Sequence, residues 1–418
     1  MNAKLLSLPI GIQSFERLRS MNKLYVDKTQ HLLRLVEENT RIFLSRPRRF
    51  GKSLTLSTLE AMFSGKVELF KGLAAEAWVA DQARHPCPVL SLSMARGRPT
   101  EDIRGFDISL YNDLMVLGRK RGLSMFRKDT EGALGAFKDV LEGLYDQEGP
   151  VVVLIDEYDK PILDNIGNVR IAETFRGYLR NLYLSLKDYD SHLRFVMLTG
   201  ISKFSKTGVF SAMNNLKDIS LSERYGAIVG YTQAELETNF SGWVDAAAEK
   251  MGRSCSEVLE GIKAYYDGFC FDGRTRLYNP FSVLNFLSDC SFSNYWYSSG
   301  SPSFIVEYMK RHGIEAPESY RHRVVSVDFA DSQEIERARP ESFLYQSGYL
   351  TIESREEQEL TLDYPNREVL DSLSRMYLEI VYRVEGYVSI GSNLWRALKD
   401  NKLCQRSEER RVGKECRS

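Results

Sequence analysis

Residues 46–53 read RPRRFGKS, and they directly follow the apolar run RIFLS at residues 41–45. A second apolar run, VVVLID at residues 151–156, is followed at once by a further acidic residue, Glu157. Short apolar runs bounded by turn residues are typical of buried strands. A strand that leads into Gly-Lys-Ser and a strand that ends in Asp-Glu together predict a site for a nucleoside triphosphate, because parallel strands bind ligands at their carboxyl ends.

The composition excludes several classes of protein. The chain has 56 basic and 57 acidic residues, so no net charge draws it to nucleic acid or to an anionic membrane. Six cysteines without a CxxC pair suggest neither a zinc cluster nor a disulfide framework, which fits a reducing cytoplasm. No apolar stretch is long enough for a transmembrane helix, and the N-terminus lacks the apolar run of a signal peptide. We expect a cytoplasmic protein with no membrane partner, to which nucleic acid is at most an indirect partner.

Short apolar runs alternate with helical stretches between residues 42 and 198. This alternation predicts an α/β fold with a mostly parallel sheet and helices on both faces. The predicted strands are at 42–45, 88–94, 151–156 and 193–200, and the predicted helices at 54–63, 101–119 and 174–188.

The strand signal fades after about residue 225. Thr232 and Glu235 form a capping-box pattern, which predicts a helix start there. We predict helices at 232–249 and 256–266 within a mainly helical second domain, whose core is packed by the aromatic-rich stretch 265–297. Near Phe343 the pattern predicts a return to short strands, followed by a helix at 369–384.

A phosphate-binding loop needs backbone N–H groups and a helix N-terminus aimed at one place, a lysine for the phosphates and a hydroxyl for Mg²⁺. Gly51, Lys52 and Ser53 supply the end of that pattern. The usual first glycine is replaced by Arg46, followed by Pro47, so the start of the loop must be shaped differently. The alternative is a surface turn with an ordinary cationic face.

Two further groups are predicted at strand ends. Asp156 would hold Mg²⁺, and Glu157 would orient or deprotonate the water that attacks the γ-phosphate; the alternative is a pair of helix-capping carboxylates. Thr199 ends the fourth strand, where it would contact the γ-phosphate or that water, or serve only as a strand-end hydroxyl.

The other charges near these strands are less specific. Arg48 and Arg49 are either phosphate contacts or solvated charges, and the residues alone do not decide between the two. Asp159 and Lys160 are interpreted as local loop charges. Three cations are candidates for a sensing or arginine-finger role, although loop cations are usually only solvated: Lys203, Lys206 and Arg224.

Several segments agree, in order, with one known family. They are LPIGIQSFERLR (8–19), YVDKT (25–29), RPRRFGKSLTLSTLEAMF (46–63), VVVLIDEYDKPI (151–162), LTGISKFSKTGVFSAMNNLKDIS (198–220), GYTQAEL (230–236), YDGFCF (266–271), YNPFSVLNFL (278–287), YQSGYLTI (345–352) and LDYPNREV (362–369). On these segments the chain closely resembles the bacterial AAA-ATPase-like family, whose members usually carry a C-terminal PD-(D/E)XK nuclease-superfamily domain. A phosphate loop without its first glycine is also how this family looks.

The resemblance implies a P-loop NTPase fold of the ASCE/AAA-like type, with ATP and Mg²⁺ as cofactors. The implied nucleotide-binding residues are Arg48, Arg49, Phe50, Gly51, Lys52, Ser53 and Leu54. Ser53 and Asp156 are the implied metal ligands, and Glu157, Lys52 and Thr199 the catalytic residues. By analogy with related ATPases, Tyr25 or Asp27 would lie near the base; the alternative is an amphipathic entry to the first helix.

The resemblance also implies a division of the chain. Residues 1–225 form the ATPase core, 226–330 a helical, winged-helix-like lid, and 331–403 a partial α+β segment that begins a nuclease-like domain. The later strands of such a nuclease, with their carboxylates and lysine, are not found, so no nuclease residues are assigned and no nuclease activity is expected. Residues 331–403 would then expose apolar surface and tend to associate. Residues 404–418 lack periodicity and are interpreted as a non-native tail.

Two functions follow for this chain. The first is Mg²⁺-dependent ATP hydrolysis that regulates an attached or partner nucleic-acid-processing module. The alternative is a nucleotide-gated switch with negligible turnover, since a missing partner arginine can reduce the rate by a factor of about 10³–10⁵. The sequence leaves open a homo-oligomer and the source of any arginine finger.

Overall fold

A five-stranded parallel sheet forms the centre of the fold in the computed structural model. The structure describes residues 5–95, 101–125, 128–203, 215–299, 303–313, 315–330 and 339–382. The strands lie in the order β2-β3-β4-β1-β5, and every neighbouring pair is parallel. Their bounds are β1 Arg41–Ser45, β2 Val89–Ser93, β3 Val151–Asp156, β4 Leu193–Gly200 and β5 Lys217–Asp218. The predicted mostly parallel sheet is therefore confirmed, with β4 inserted between the two strands that carry the predicted site.

Helices cover both faces of this sheet. Successive side chains of a strand point to opposite faces, and every residue of β3 from Val151 to Ile155 is buried. The helix after β1 and the helix before β3 both contact β3. The helices of this part are α1 Phe15–Ser20, α2 Thr29–Glu38, α3 Lys52–Phe63, α4 Glu76–Gln82, α5 Ile103–Arg121, α6 Lys128–Glu148, α7 Lys160–Leu163 and α8 Val169–Asp188.

The structure differs from the prediction in two respects. Helices α1, α2, α4, α6 and α7 are not among the predicted ranges, and α6 contains a break at Gly132, whose φ is 59°. Helix α8 begins five residues earlier than the predicted residue 174, because the Asn168 side chain accepts a hydrogen bond from the Ile171 N–H and caps it there. Neither difference moves a predicted site residue.

The second region is helical, as predicted. Its elements are α9 Gln233–Met251, α10 Cys255–Tyr266, α11 Pro280–Asp289, α12 Tyr295–Ser298 and α13 Ser303–His312, with a small hairpin of β6 Phe269–Cys270 and β7 Arg276–Leu277. The capping box of Thr232 and Glu235 is present at the start of α9. The aromatic-rich stretch packs in the interior, with the Phe286 and Phe292 rings 4.4 Å apart between centroids.

The C-terminal part combines a sheet and two helices. The antiparallel sheet has the order β8-β10-β9, from β8 Arg323–Ser326, β9 Thr351–Glu356 and β10 Glu359–Asp363; the helices are α14 Pro340–Ser347 and α15 Arg367–Tyr382. The predicted return to short strands is confirmed by β9 and β10, but it was wrong for residues 343–347, which belong to α14. Pro340 at the first helical turn and Gly348 in the left-handed conformation at the other end define a helix. β8 pairs with β10, so a strand on one side of the predicted boundary at residue 330 pairs with a strand on the other.

Residues 339–382, which we call the C-terminal segment, do not expose the apolar face predicted for 331–403. Phe343, Leu350, Leu362 and Leu373 are buried in the same apolar cluster as the parallel sheet. The predicted tail and residues 383–403 lie outside the described residues. Among the described helices, none combines the length and the apolar character that a membrane crossing requires.

Candidate nucleotide-binding site

The phosphate loop, residues 46–53, is shaped by buried contacts where the usual first glycine is missing. Arg46 is buried, and its Nη1 donates to the carbonyl oxygens of Ser220, at 2.7 Å, and Ser45, at 2.9 Å. Its guanidinium lies 4.3 Å from the centre of the Phe271 ring. The positive φ angles of the loop occur later, at Arg49 with 67° and at Gly51 with 95°. Arg46 therefore anchors the loop with its side chain, and Gly51 supplies the left-handed turn into α3.

Lys52 points into its own loop. Its buried Nζ donates to the carbonyl oxygens of Arg46, at 2.8 Å, and Pro47, at 2.9 Å. Burial lowers the pKa of the Lys52 ammonium, and the nearby Asp156 opposes that shift. The ammonium group occupies the interior of the loop, which is where such loops hold phosphate oxygens. The loop is closed around its lysine in this form.

The two arginines that the sequence left undecided are held by aromatic side chains. The Arg48 guanidinium lies 4.9 Å from the Trp296 ring centre, and its Nη2 donates to the Trp296 carbonyl oxygen at 3.3 Å. Arg49 is exposed, and its guanidinium lies 4.8 Å from the Phe281 ring centre. In this form both arginines bind the helical region, and neither is simply solvated.

Phe50 and Leu54 lie on either side of the start of α3. Phe50 is buried against Phe269, with ring centroids 4.8 Å apart, so it packs the loop onto the β6–β7 hairpin. Leu54 is half-buried and lines a cleft beside α3. The structure therefore gives Phe50 a packing position and Leu54 a position at a cavity.

The first turn of α3 and the end of β4 converge on a carboxylate at the end of β3. The Ser53 hydroxyl, in the first turn of α3, donates to Asp156 Oδ2 at 2.5 Å. The Thr199 hydroxyl, near the end of β4, donates to Asp156 Oδ1 at 2.7 Å. Hydroxyl and carboxylate oxygens are the ligands that Mg²⁺ prefers, so Ser53 and Asp156 fit a magnesium site. The structure thus brings together three residues that lie far apart in the sequence and that the sequence assigned to one site.

Glu157 has a strained backbone beside this cluster. Its φ is 51°, which is uncommon for a residue other than glycine, and its N–H donates to Asp156 Oδ1 at 3.0 Å. Burial and the Asp156 charge raise the pKa of the Glu157 carboxyl, while Lys52 opposes the shift. Strain of this kind clusters at functional sites, where the surrounding structure holds it. A half-buried carboxylate with a raised pKa next to a metal-type cluster can act as a proton acceptor.

The interpretation of Asp159 as a local loop charge was wrong. Asp159 is buried, and its Oδ2 accepts hydrogen bonds from the Ile201 N–H at 2.9 Å and from the Ser202 N–H and hydroxyl at 2.6 Å. Burial raises the pKa of the Asp159 carboxyl. The side chain therefore ties the loop after β3 to the loop after β4, next to Thr199. The partners lie some forty residues further on, so no local pattern in the sequence marks them. Lys160 begins α7 and forms an ion pair with Asp164 on the same stretch of chain.

The two candidate cations that the structure describes, Lys203 and Arg224, both form ion pairs. Lys203 pairs with Asp218 at 2.7 Å, and Arg224 pairs with Glu38 at the end of α2. Lys206 lies outside the described residues. The structure therefore shows local partners for the two cations that it describes.

A cleft beside the start of α3 continues the site, and we call it the nucleotide cleft. The lining residues that matter here are Tyr25, Lys28, Gly51, Leu54, Thr55 and Tyr231. Tyr25 is positioned there by residues 5–28, which we call the N-terminal segment, and burial raises the pKa of its phenol well above the ordinary value. Asp27 instead accepts hydrogen bonds from the Thr29 N–H, at 2.8 Å, and the Ala74 N–H, at 2.9 Å. Of the two residues proposed near the base, Tyr25 lines the cleft and Asp27 fixes the start of α2.

Comparison with known proteins identifies a matching family model and a related protein. A family model described as "Predicted AAA-ATPase" matches residues 9–210. A protein of Azotobacter chroococcum mcd 1, described as "Uncharacterized protein in vnfD 5'region", is 38% identical over 380 residues, which are 89% of this chain and 70% of that protein.

Two solved structures from Aeropyrum pernix are similar at lower levels. The ORC2 protein, in ADPNP-ADP complexes, is 14% identical with a TM-score of 0.34, and the match covers 92% of this chain and 97% of that one. The ORC1 protein in complex with DNA is 10% identical with a TM-score of 0.27, covering 85% of this chain and 94% of that one. TM-scores this low do not establish a shared fold, so the relationship is drawn from the family model and the Azotobacter protein.

Proposed function

The chain belongs to the predicted AAA-ATPase family, and from that premise we propose that it binds ATP and hydrolyses it in a Mg²⁺-dependent reaction. One observation carries the proposal. Ser53, in the first turn of α3, and Thr199, at the end of β4, both donate hydrogen bonds to Asp156 at the end of β3. A surface turn and a pair of capping carboxylates, the alternatives for these motifs, would not require that convergence.

The phosphates would bind in the phosphate loop. Lys52 would leave the carbonyl oxygens of Arg46 and Pro47, to which it now donates, and bind the phosphate oxygens instead. The backbone N–H groups at the start of α3 would donate to the same phosphates, because the first turn of a helix has no internal partners for them. Ser53 and Asp156 would hold Mg²⁺, which would supply positive charge to the phosphate oxygens.

Hydrolysis needs a base and an oriented water. Glu157 would take a proton from the water whose oxygen bonds to the γ-phosphorus as the bond to the bridging β–γ oxygen breaks, releasing ADP and inorganic phosphate. The raised pKa of Glu157 makes it a stronger base than an ordinary glutamate. Thr199, which already faces Asp156, would orient the water or contact the γ-phosphate.

The base would occupy the nucleotide cleft beside Tyr25. The cleft lies between Gly51 and Leu54 on one side and Tyr231 on the other, so it continues from the phosphate loop. A base could pack there against Tyr25 and Leu54. Support for this placement comes from the position of the cleft alone.

A nucleotide-gated switch with negligible turnover is the second candidate. The observation that favours it is the closed phosphate loop, in which two loop carbonyl oxygens already satisfy the Lys52 ammonium. Binding would then be coupled to opening of the loop, and catalysis would depend on a partner group such as an arginine.

The wider roles extend the same proposal. The helical region would act as a lid, since Trp296 and Phe281 already contact the arginines of the phosphate loop. Regulation of an attached or partner nucleic-acid-processing module is supported by the family resemblance. Assembly into a homo-oligomer would provide a route for an arginine finger from a neighbouring subunit.

The test measures ATP binding and phosphate release, with Mg²⁺, for the parent, Lys52→Ala and Glu157→Gln. We expect Lys52→Ala to lose binding and Glu157→Gln to keep binding and lose turnover. Lys71→Ala and Glu173→Gln, two exposed positions outside the site, are the matched controls and should behave as the parent. Binding without turnover in the parent would favour the switch, and a parent that does not bind ATP would contradict both proposals.

A further inference from the structure

A buried glutamate of the C-terminal segment connects three helices. Glu368, in the first turn of α15, is fully buried. Its Oε1 accepts a hydrogen bond from the Trp296 N–H of α12 at 2.7 Å, and its Oε2 accepts one from the Ser282 hydroxyl of α11 at 2.8 Å. A buried carboxylate is costly unless such donors satisfy it, so this arrangement holds α12 in one position relative to α15.

Trp296, which is hydrogen-bonded to Glu368, also contacts the phosphate loop. The fully buried indole donates from Nε1 to the Arg48 carbonyl oxygen at 3.2 Å. In return, Arg48 donates from Nη2 to the Trp296 carbonyl oxygen at 3.3 Å and stacks its guanidinium over the ring. Glu368 is therefore one residue away from the backbone of the phosphate loop.

The turn after α14 also packs against the phosphate loop. Gly348, with a φ of 91°, lies so close to Pro47 that a Cβ on the glycine would be 2.6 Å from the Pro47 Cβ. The next residue, Tyr349, packs its ring 5.1 Å from Trp296 between centroids. Two independent parts of the C-terminal segment, α15 and the turn after α14, thus contact the phosphate loop directly or through one side chain.

This interface is not fully satisfied in the closed loop. Among the residues that the structure describes, Arg48 Nε and the Tyr349 hydroxyl are buried polar atoms without a hydrogen-bond partner. Buried polar groups normally have partners, so Arg48 and Tyr349 have unused hydrogen-bonding capacity at this interface. Entry of phosphates would rearrange the loop beside them, because Lys52 must leave the Arg46 and Pro47 carbonyl oxygens.

We propose that Glu368 and Trp296 are positioning residues for the phosphate loop, and that they couple nucleotide occupancy to the C-terminal segment. The inference rests on the proposed nucleotide site. It adds that the C-terminal segment responds to whether that site holds a nucleotide. Coupling of this kind is reciprocal. If nucleotide binding shifts Trp296 and α15, then a change at Glu368 must alter nucleotide affinity.

The experiment has two readouts on the full chain. Isothermal titration measures the Kd for ATP and for ADP in the parent, Glu368→Ala, Glu368→Gln and Glu341→Gln. The last is the matched control, because Glu341 is paired with Arg323 of β8: it accepts a hydrogen bond from the Arg323 Nε at 3.1 Å and forms an ion pair with Nη2 at 2.9 Å. Fluorine NMR of the 5-fluorotryptophan-labelled chain follows Trp296, whose resonance is identified by its loss in Trp296→Phe.

We expect the Trp296 resonance to shift when ATP saturates the parent. Glu368→Ala should raise the Kd about tenfold, Glu368→Gln should recover most of the affinity because its amide oxygen still accepts from the Trp296 N–H, and Glu341→Gln should bind as the parent. An unmoved Trp296 resonance in a parent that binds ATP would overturn the inference while leaving the proposed function intact. So would parent-like affinity in a folded Glu368→Ala. Should Glu368→Ala not fold, the NMR readout on the parent decides alone, whereas a parent that binds no nucleotide would remove the inference together with the proposed function.

Discussion

At the scale of single residues, Glu368 has the most unusual environment outside the candidate site. Its carboxyl group is buried, and burial raises its pKa from the ordinary 4.5 to about 7. The hydrogen bonds from Trp296 and Ser282 and the charge of Arg48 oppose this shift without overcoming it. The group therefore changes its charge in the folded protein near neutral pH, at a position that contacts the phosphate loop through one side chain.

The free energy of unfolding should consequently depend on pH through Glu368. Its folded pKa lies above its unfolded value, so the folded state binds the extra proton, and stability is lost as pH rises from about 4.5 to about 7. The loss should approach about 3 kcal/mol by pH 8. Glu368→Gln should remove this part of the slope and be more stable than the parent above pH 7, as measured by urea unfolding at a series of pH values.

The difference between the two proteins isolates Glu368, because every other titrating group is common to both. Two parallel stability curves between pH 5 and 8 would contradict the prediction. They would mean that water or a local rearrangement solvates the carboxylate.

The residues predicted from the sequence are those that stand at strand ends or at the start of the helix that follows β1. Lys52, Ser53, Asp156 and Thr199 could be placed at one sheet edge because the alternation of strands and helices already indicated where the strands end. Asp159 could not, since its partners are the backbone N–H groups of a loop that becomes its neighbour only in the folded sheet. The sequence therefore predicts that the Ser53 and Thr199 hydroxyls lie near Asp156, but it does not predict their hydrogen bonds to it.

At the scale of elements, α14 shows where an apolar run misleads. Residues 343–347 are rich in aromatic and apolar side chains and were predicted as strand. Pro340 begins and Gly348 ends a helix that contains them, and these two residues were the better signal. The same glycine then serves a second purpose, because the chain that leaves α14 passes against the phosphate loop.

Gly348→Ala should therefore lower the free energy of unfolding by more than the strain of its positive φ angle alone explains. Gly149 provides the matched control, since its φ of 89° is close to the 91° of Gly348 but a Cβ there would meet nothing within 4 Å. We expect Gly149→Ala to cost about 1 kcal/mol from strain, and Gly348→Ala about 1–3 kcal/mol more from the collision with Pro47. Urea unfolding measures both costs, and ATP titration should show weaker binding only for Gly348→Ala. Equal costs in the two variants would show that the turn moves freely away from Pro47.

At the scale of the whole molecule, the buried residues that the structure describes form two apolar clusters, and the chain does not divide between them in sequence order. Leu8, Leu24 and Val26 from the N-terminal segment belong to the cluster of the helical region. The C-terminal segment belongs instead to the cluster of the parallel sheet. This interleaving could not be predicted from composition, because the pattern of apolar residues shows which face of an element is buried without showing its partner. The nucleotide cleft lies where the N-terminal segment passes between the two clusters.

The ion pair of Lys28 and Glu235 joins the N-terminal segment to α9 at this cleft. The two side chains are 2.6 Å apart, with only 11% and 22% of their areas exposed, and Lys28 also donates to the Ala227 carbonyl oxygen at 3.0 Å. Burial lowers the pKa of the Lys28 ammonium although the Glu235 charge opposes the shift. Removing one partner leaves the other charge buried, so Lys28→Ala and Glu235→Ala should each be strongly destabilising, whereas the double variant should cost less than the sum of the two. We expect a coupling energy of about 1–3 kcal/mol from urea unfolding.

The ion pair of Lys66 and Glu16 is the appropriate reference cycle. It has the same separation of 2.6 Å, but 38% and 60% of its side chains are exposed. Solvent screens such a pair, so its coupling energy should be at most about 1 kcal/mol. Because Lys28 lines the nucleotide cleft, loss of its coupling to Glu235 should also weaken ATP binding, which loss of the Lys66 pair should not do. Equal coupling energies in the two cycles would show that water reaches Lys28 freely, and the N-terminal segment would then contribute apolar packing alone to the junction between the two clusters.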